Sequence, residues 1–329
     1  MKKFLSVTLS LLLAASMPLS ALAETYDLAQ GSITVEAKAD GNQYVSQAGG
    51  VQQEQQTTET VINQTDSNTT STTNTITIQA EKNQTAQVTI SDVNIDASKD
   101  TKAAISTEGD GNVTIELDGD NTAKSGNNHA GVEKNNRGNL TITDADGDGT
   151  LEAAGDNGGA GIGGGILGDG SDITISGNAK VEASGGSFAA GIGGGNNGSG
   201  RNITIGGNAE VIATGGIYGA GIGGGPTSDG RNITIDGNAE VIATGGEYGA
   251  GIGGGPYGNG EITPNSDGLT NGFIAYYDSN ANMETSAPKK LLHNDPSGTH
   301  THTGVTLKSS TAATCTTNAM VTYLCSCGA

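Results

Sequence analysis

Ala160-Gly161-Ile162-Gly163-Gly164-Gly165 recurs at 190–195, 220–225 and 250–255, an interval of 30 residues. A strict period of this size is the signature of stacked, near-identical structural units. Stacking turns each side chain of one unit into a column along a rod. The same slot is filled upstream by Ala103-Ala104-Ile105 and Ala130-Gly131-Val132, spaced 27 and then 30 residues. The array therefore begins before residue 100, with more varied coils.

Two further signals recur in fixed order. The first is an aliphatic-Thr-aliphatic triplet: Val88-Thr89-Ile90, Val113-Thr114-Ile115, Leu140-Thr141-Ile142, Ile173-Thr174-Ile175, Ile203-Thr204-Ile205 and Ile233-Thr234-Ile235. Period-two alternation puts the aliphatics on one face and Thr on the other, as in a half-buried strand. The second is Ala209-Glu210-Val211-Ile212-Ala213, echoed at 179–183 and 239–243. Its Ala, Val and Ala face one way, its Glu and Ile the other. Three short strands per coil of about 30 residues, joined by Gly, Asn and Asp corners, predict an all-β, right-handed parallel β-helix. Ile76-Thr77-Ile78 and Ile33-Thr34-Val35 read as further strands near an N-terminal cap. Ile262-Thr263-Pro264 reads as the last copy, because Pro lacks a ladder donor.

The composition agrees. Gly is 55 of 329 residues, aromatics are 3% and Trp is absent. A globule of this length needs bulkier core residues, whereas a solenoid buries only a thin layer per coil. The formal net charge of −20 disfavours nucleic acid and anionic lipid as partners. Lys2 and Lys3, the apolar run Phe4 to Ala15, and Ala21-Leu22-Ala23 read as a secretory signal peptide over 1–23. No later stretch is apolar enough for membrane insertion. The expected plan is a cap and polar Thr/Gln/Asn-rich segment over 24–75 and the β-helix over 76–263. A cap or linker over 264–298 and a Cys/His-containing, truncated module over 299–329 follow.

Residues Val88 to Asp96, Leu117 to Thr122, Leu140 to Asp144 and the Ala-Gly-Ile-Gly-Gly-Gly arrays resemble secreted and surface-displayed β-helix proteins of clostridial and other gut Firmicutes. The likeness covers roughly residues 75–262. It is to their carbohydrate-binding domain, which is related to pectate-lyase β-helices. The resemblance implies calcium binding and polysaccharide binding.

Several residue sets carry candidate chemistry. Asp144, Asp146 and Asp148, alternating around Gly147, suit the oxygen cage of Ca²⁺, with Asp156 as a further ligand. The pattern is half an EF-hand loop, and it equally suits an Asp-Gly corner between strands. Glu116, Asp118 and Asp120 lie one coil upstream. Phe188, Tyr218 and Tyr248 stand 30 apart, with Tyr257 as a candidate extension of their column. Such a ladder is either a platform for sugar rings or a stack that holds successive coils together. Glu152, Glu210 and Glu240, with Lys180 between them, read as a solvated acidic face. The Thr column reads as ordinary β-branched strand residues.

Cys315, Cys325 and Cys327 with His300 and His302 are candidates for Zn²⁺ or for a disulfide. Arg201 and Arg231 recur in register with the scaffold, and His129 with Glu133 shows no triad or metal spacing, so catalysis is not expected. The expected function is a secreted, surface-associated, non-catalytic rod that binds plant or host polysaccharide or cell-wall components. The alternatives are an adhesin stalk without glycan binding and a polysaccharide lyase.

Overall fold

The computed structural model describes residues 24–51, 53–54, 59–265, 269, 273–277, 290–295, 298–303, 306–311 and 320–324. The signal-peptide assignment over 1–23 lies outside these residues. So do Cys315, Cys325 and Cys327.

Each coil contributes one strand to each of three sheets. The coil around residue 210 shows the pattern: Gly200–Ile205, Glu210–Thr214 and Ile222–Gly223. The first strand pairs in parallel with Gly170–Ile175 and Gly230–Ile235, so that Ile173, Ile203 and Ile233 stand in one column. The second pairs with Lys180–Ser184 and Glu240–Thr244, and the third with Ile192–Gly193 and Ile252–Gly253. The three sheets hold eight, nine and ten strands. This is a parallel β-helix of about seven turns. No helix among the described residues is long and apolar enough to cross a membrane.

The core follows from the alternation. Ile203, Ile205, Ala209, Ala213 and Ile222 are fully buried, and Val211 nearly so. Equivalent aliphatics above and below continue one apolar column per inward position. Glu210 faces outward and Ile212 is half-exposed, as the pattern requires.

Glycine is required at one corner for two separate reasons. Gly163, Gly193 and Gly223 have φ of +134°, +133° and +138°, a region that L side chains rarely adopt. A Cβ on each would also lie 2.0, 2.1 and 1.8 Å from the carbonyl oxygen of the glycine one coil on.

Parallel pairing extends beyond both expected limits of the helix. Ile33–Ala37 pairs with Ile76–Ala80, and Glu24–Asp27 pairs with Glu59–Asn63. Downstream, pairing does not stop at Pro264. Asn265 takes over the ladder, donating its N–H to Ile233 O and accepting from Ile235 N, both at 2.8 Å. Phe273–Tyr277 then pairs in parallel with Glu240–Thr244, and two antiparallel strands follow it, Lys290–Asp295 and Gly298–Thr303. A single Pro removes one donor, and its neighbours still carry theirs.

Candidate functional site

The turn between the second and third strands of each coil carries the aromatic column. It is pinned to the coil before it by backbone bonds: Phe188 N–H to Asn157 O, Tyr218 N–H to Ser187 O and Tyr248 N–H to Ile217 O. This register stacks the rings. Phe188 and Tyr218 have centroids 5.2 Å apart and planes 6° apart; Tyr218 and Tyr248 are also at 5.2 Å, with planes 17° apart. That spacing is close to the strand spacing of about 4.8 Å, so the coil pitch itself sets the stack. Phe188 is 37% and Tyr248 51% exposed, while Tyr218 is covered on both faces. The Tyr248 phenol is held above its ordinary pKa by its hydrogen bond to Glu247 and by that carboxylate's charge.

Tyr257 does not extend this column. It stands in register with Thr227, Asn197 and Leu167, in the turn after the third strand. Its N–H donates to Pro226 O. It lies only nine residues from Tyr248, and the third strand separates the two turns.

The two turns nevertheless touch. Asn196 N–H donates to Gly158 O and Ile166 N–H to Asn128 O, both at 2.8 Å. Together they form an apolar edge along the rod. Of the seven exposed large hydrophobic residues among those described, six lie here: Ile166, Leu167, Phe188, Ile217, Tyr248 and Tyr257. Contiguous exposed apolar surface of this kind marks interaction sites, whereas scattered single residues do not.

At the upstream end of this edge sits a polar cluster that the sequence spacing did not disclose. Glu133 is buried. Its Oε2 accepts the Ala130 N–H at 3.0 Å and lies 2.8 Å from His129 Nδ1; its Oε1 accepts from Asn135 Nδ2 at 3.0 Å. Next to it, Lys134 is buried and donates from Nζ to Asn136 O at 2.7 Å. Burial pulls the Lys134 pKa down, and the Asp172 carboxylate opposes the shift.

The aspartate corner is built as a turn. Asp144 is fully buried; its Oδ1 accepts from Asp146 N and Gly147 N, and its Oδ2 from Gly149 N. Carboxylate oxygens of Asp144, Asp146 and Asp148 lie within 4.8 Å of one another. Glu116 joins from the coil before, accepting the Ala145 N–H at 2.6 Å. Burial raises the Glu116 pKa, and Asp144 and Asp146 add to the shift. The Asp148 pKa is raised chiefly by its hydrogen bond with Asp146. Asp156 does not join the group. The strand Thr150–Asp156 carries it to the far end of the sheet at about 3.3 Å per residue. Asp144, Asp146 and Asp148 are the carboxylates close enough to share a hard cation, although backbone N–H groups already bond both Asp144 oxygens.

The acidic face of the second sheet forms a groove of about 400 Å³. The expected single Glu column is two columns. Thr150, Lys180, Glu210 and Glu240 share one; Glu152, Glu182, Ile212 and Ile242 share the other. Burial, and then Glu210, raise the Glu240 pKa.

Two ladders of amide side chains also run along the corners. Asn238 Nδ2 donates to Asn208 Oδ1, and Asn208 Nδ2 to Asn178 Oδ1, at 2.8 and 2.9 Å. Asn232, Asn202 and Asp172 form the second, at 3.1 and 2.9 Å. Their signal in the sequence is the 30-residue spacing of Asn178, Asn208 and Asn238 and of Asp172, Asn202 and Asn232. The recurring arginines are scaffold too. Arg201 bonds Ser199 Oγ, and Arg231 bonds the Asp229 carboxylate in its own corner. His300 and His302 lie on the strand Gly298–Thr303.

Comparison with known proteins agrees with this geometry at the level of the fold. The sequence model of the Beta helix repeat family matches residues 173–196 and 233–256. No curated protein and no solved structure matches the chain. The matched segments are two copies of the same unit, each running from the Ile-Thr-Ile strand to the Gly-Gly-Gly corner, and the chain is a parallel β-helix protein.

Proposed function

We propose that the chain is a secreted, surface-associated, non-catalytic rod that binds a neutral polysaccharide along its apolar edge. One observation carries this reading: six of the seven exposed large hydrophobic residues among those described gather on two touching turns along one edge. Sugar rings present apolar C–H faces to such residues and hydroxyls to the amides between them, here Asn157, Asn196 and Asn197. The net charge of −20 favours a neutral glycan over an anionic one. Ca²⁺ at Asp144, Asp146 and Asp148 would relieve carboxylate repulsion and stiffen the corner, without itself touching the glycan.

A stalk without glycan affinity is the second reading. It is favoured by the mutual stacking of Phe188, Tyr218 and Tyr248, which joins coils whatever else is bound. A glycan array on the wild type and on a Tyr248→Ala/Tyr257→Ala variant, each with and without EDTA, separates the two. Binding of a neutral glycan that the double variant loses supports the edge. An empty array under every condition leaves the stalk.

A further inference from the structure

Three of the chain's four histidines fall within ten residues, at His293, His300 and His302. The fold places them on two paired strands. His293 is on Lys290–Asp295, and His300 and His302 are on Gly298–Thr303. In the antiparallel register His293 pairs with His300, and Leu291 with His302. Directly paired residues share a face of a sheet, and so do residues two apart on one strand. All three histidines therefore lie on one face.

The neighbouring strands settle which face it is. Val241 pairs with Ile274, and Ile274 with Leu292; Val241 and Ile274 are fully buried, so this line is the inward one. Glu240, Phe273 and His293 form the adjoining line, and Glu240 is exposed. The histidines thus continue the solvent side of the second sheet, not its core. Paired Cα atoms on antiparallel strands are about 4.5–5.5 Å apart. Residues two apart on a strand are about 6.6–6.8 Å apart, and diagonal neighbours about 7–8 Å. A triangle of that size matches the span from which three imidazoles reach one ion at about 2.0–2.1 Å. An all-nitrogen donor set suits a borderline first-row ion such as Zn²⁺, and not Ca²⁺.

We propose that His293, His300 and His302 form a Zn²⁺ site on the outward face of this strand pair. It needs none of Cys315, Cys325 and Cys327; His293 supplies the third ligand that the sequence alone assigns to thiolates. Three imidazoles leave one tetrahedral position open to water or to a ligand. The ion ties Lys290–Asp295 to Gly298–Thr303, so its binding free energy adds to the stability of the rod's downstream end. The site is independent of the aspartate corner and of glycan binding at the apolar edge.

The test is Zn²⁺ titration of the full chain, kept reduced, in competition with a chromophoric chelator. Excess Ca²⁺ in the buffer occupies any hard-oxygen site. Wild type should bind Zn²⁺, and the Cys315→Ser/Cys325→Ser/Cys327→Ser variant should bind it with unchanged affinity. His293→Gln should weaken binding by about hundredfold, at least as much as the loss of a group that merely orients a ligand. Co²⁺ in place of Zn²⁺ should give visible bands without thiolate charge-transfer absorption. Loss of the ion in the triple Ser variant, thiolate absorption with Co²⁺, or wild-type affinity in His293→Gln would each overturn the site. So would a wild type that binds no Zn²⁺. The Co²⁺ spectrum is read on the wild type, so the outcome does not hang on the folding of any variant.

Discussion

The Glu133 carboxylate accepts the Ala130 N–H, the bond that Gly164 O makes to Ala160 N one coil later. In the regular coils the positive-φ Gly163 turns the backbone so that the carbonyl of the next residue, Gly164, reaches this N–H. In the earlier coil the chain continues as the strand Val132–Lys134, and a side chain supplies the acceptor instead. Glu133→Ala leaves a buried N–H and the His129 ring without that partner. It should cost about 1–3 kcal/mol. Glu133→Gln retains an acceptor and should cost less. Urea unfolding followed by circular dichroism measures both, and equal stability of Glu133→Ala and wild type would refute the role.

The ring stack makes a graded prediction. Tyr218 touches two rings and Tyr248 one. At about 0.5–1.5 kcal/mol per stacked pair, Tyr218→Ala should destabilise the protein about twice as much as Tyr248→Ala. Matching denaturation midpoints for the two variants would mean that the rings contribute little beyond their own turns.

Most of the scaffold was legible because a solenoid writes its contacts into its period. Ile203 and Ile233 are neighbours in space because they are equivalent in sequence. The aromatic column is readable in the same way, but the face it occupies is not. What escaped was anything that leaves the register. Tyr257 looked like a fourth ring because it follows Tyr248 closely, yet its own thirtieth neighbour, Thr227, places it in another turn. Asp156 looked like a cage ligand by loop counting, but a strand rather than a helix follows the loop and carries it away. The Glu133–His129 contact depends on side chains reaching across a turn, and no spacing rule encodes that. The asparagine ladders are periodic, but Asn in a corner already has a sufficient local explanation in turn geometry.

The carboxylate shifts set a pH response. Glu116 and Glu240 have pKa values raised in the folded chain, by burial first and by neighbouring carboxylates second. For an acid raised on folding, the native state holds more protons than the unfolded one, so stability falls as pH rises through that window. The contribution is complete below the ordinary Glu value of about 4.3 and is lost above the folded value. Asp27 and Asp96 act oppositely. Their hydrogen bonds lower their pKa values, so their contribution is present at neutral pH and lost as pH falls below the ordinary Asp value. Stability should therefore rise from pH 7 towards pH 5 and decline below about pH 4. Glu116→Gln should flatten the upper limb and raise stability at pH 7, as should millimolar Ca²⁺ on the wild type. Urea midpoints at pH 7, 5 and 3.5 check this; a wild-type midpoint higher at pH 7 than at pH 5 would contradict it.

Two glycines separate strain from collision. Gly41 and Gly193 both have positive φ, at +87° and +133°. A Cβ on Gly41 would meet nothing within 4 Å, whereas one on Gly193 would lie 2.1 Å from Gly223 O. Gly41→Ala therefore suffers only backbone strain, about 1 kcal/mol. In Gly193→Ala the same strain combines with an overlap against backbone that cannot move without shifting a whole coil. That overlap alone should cost about 1–3 kcal/mol or more, in a helix whose strands on both sides depend on the spacing. The stack transmits the damage: hydrogen exchange should speed up in the strands Ile192–Gly193 and Ile222–Gly223 and leave Ile33–Ala37, at the other end of the rod, unchanged. Uniform acceleration along the chain would show instead that the rod unfolds as one cooperative unit, with no coil-by-coil response to local damage.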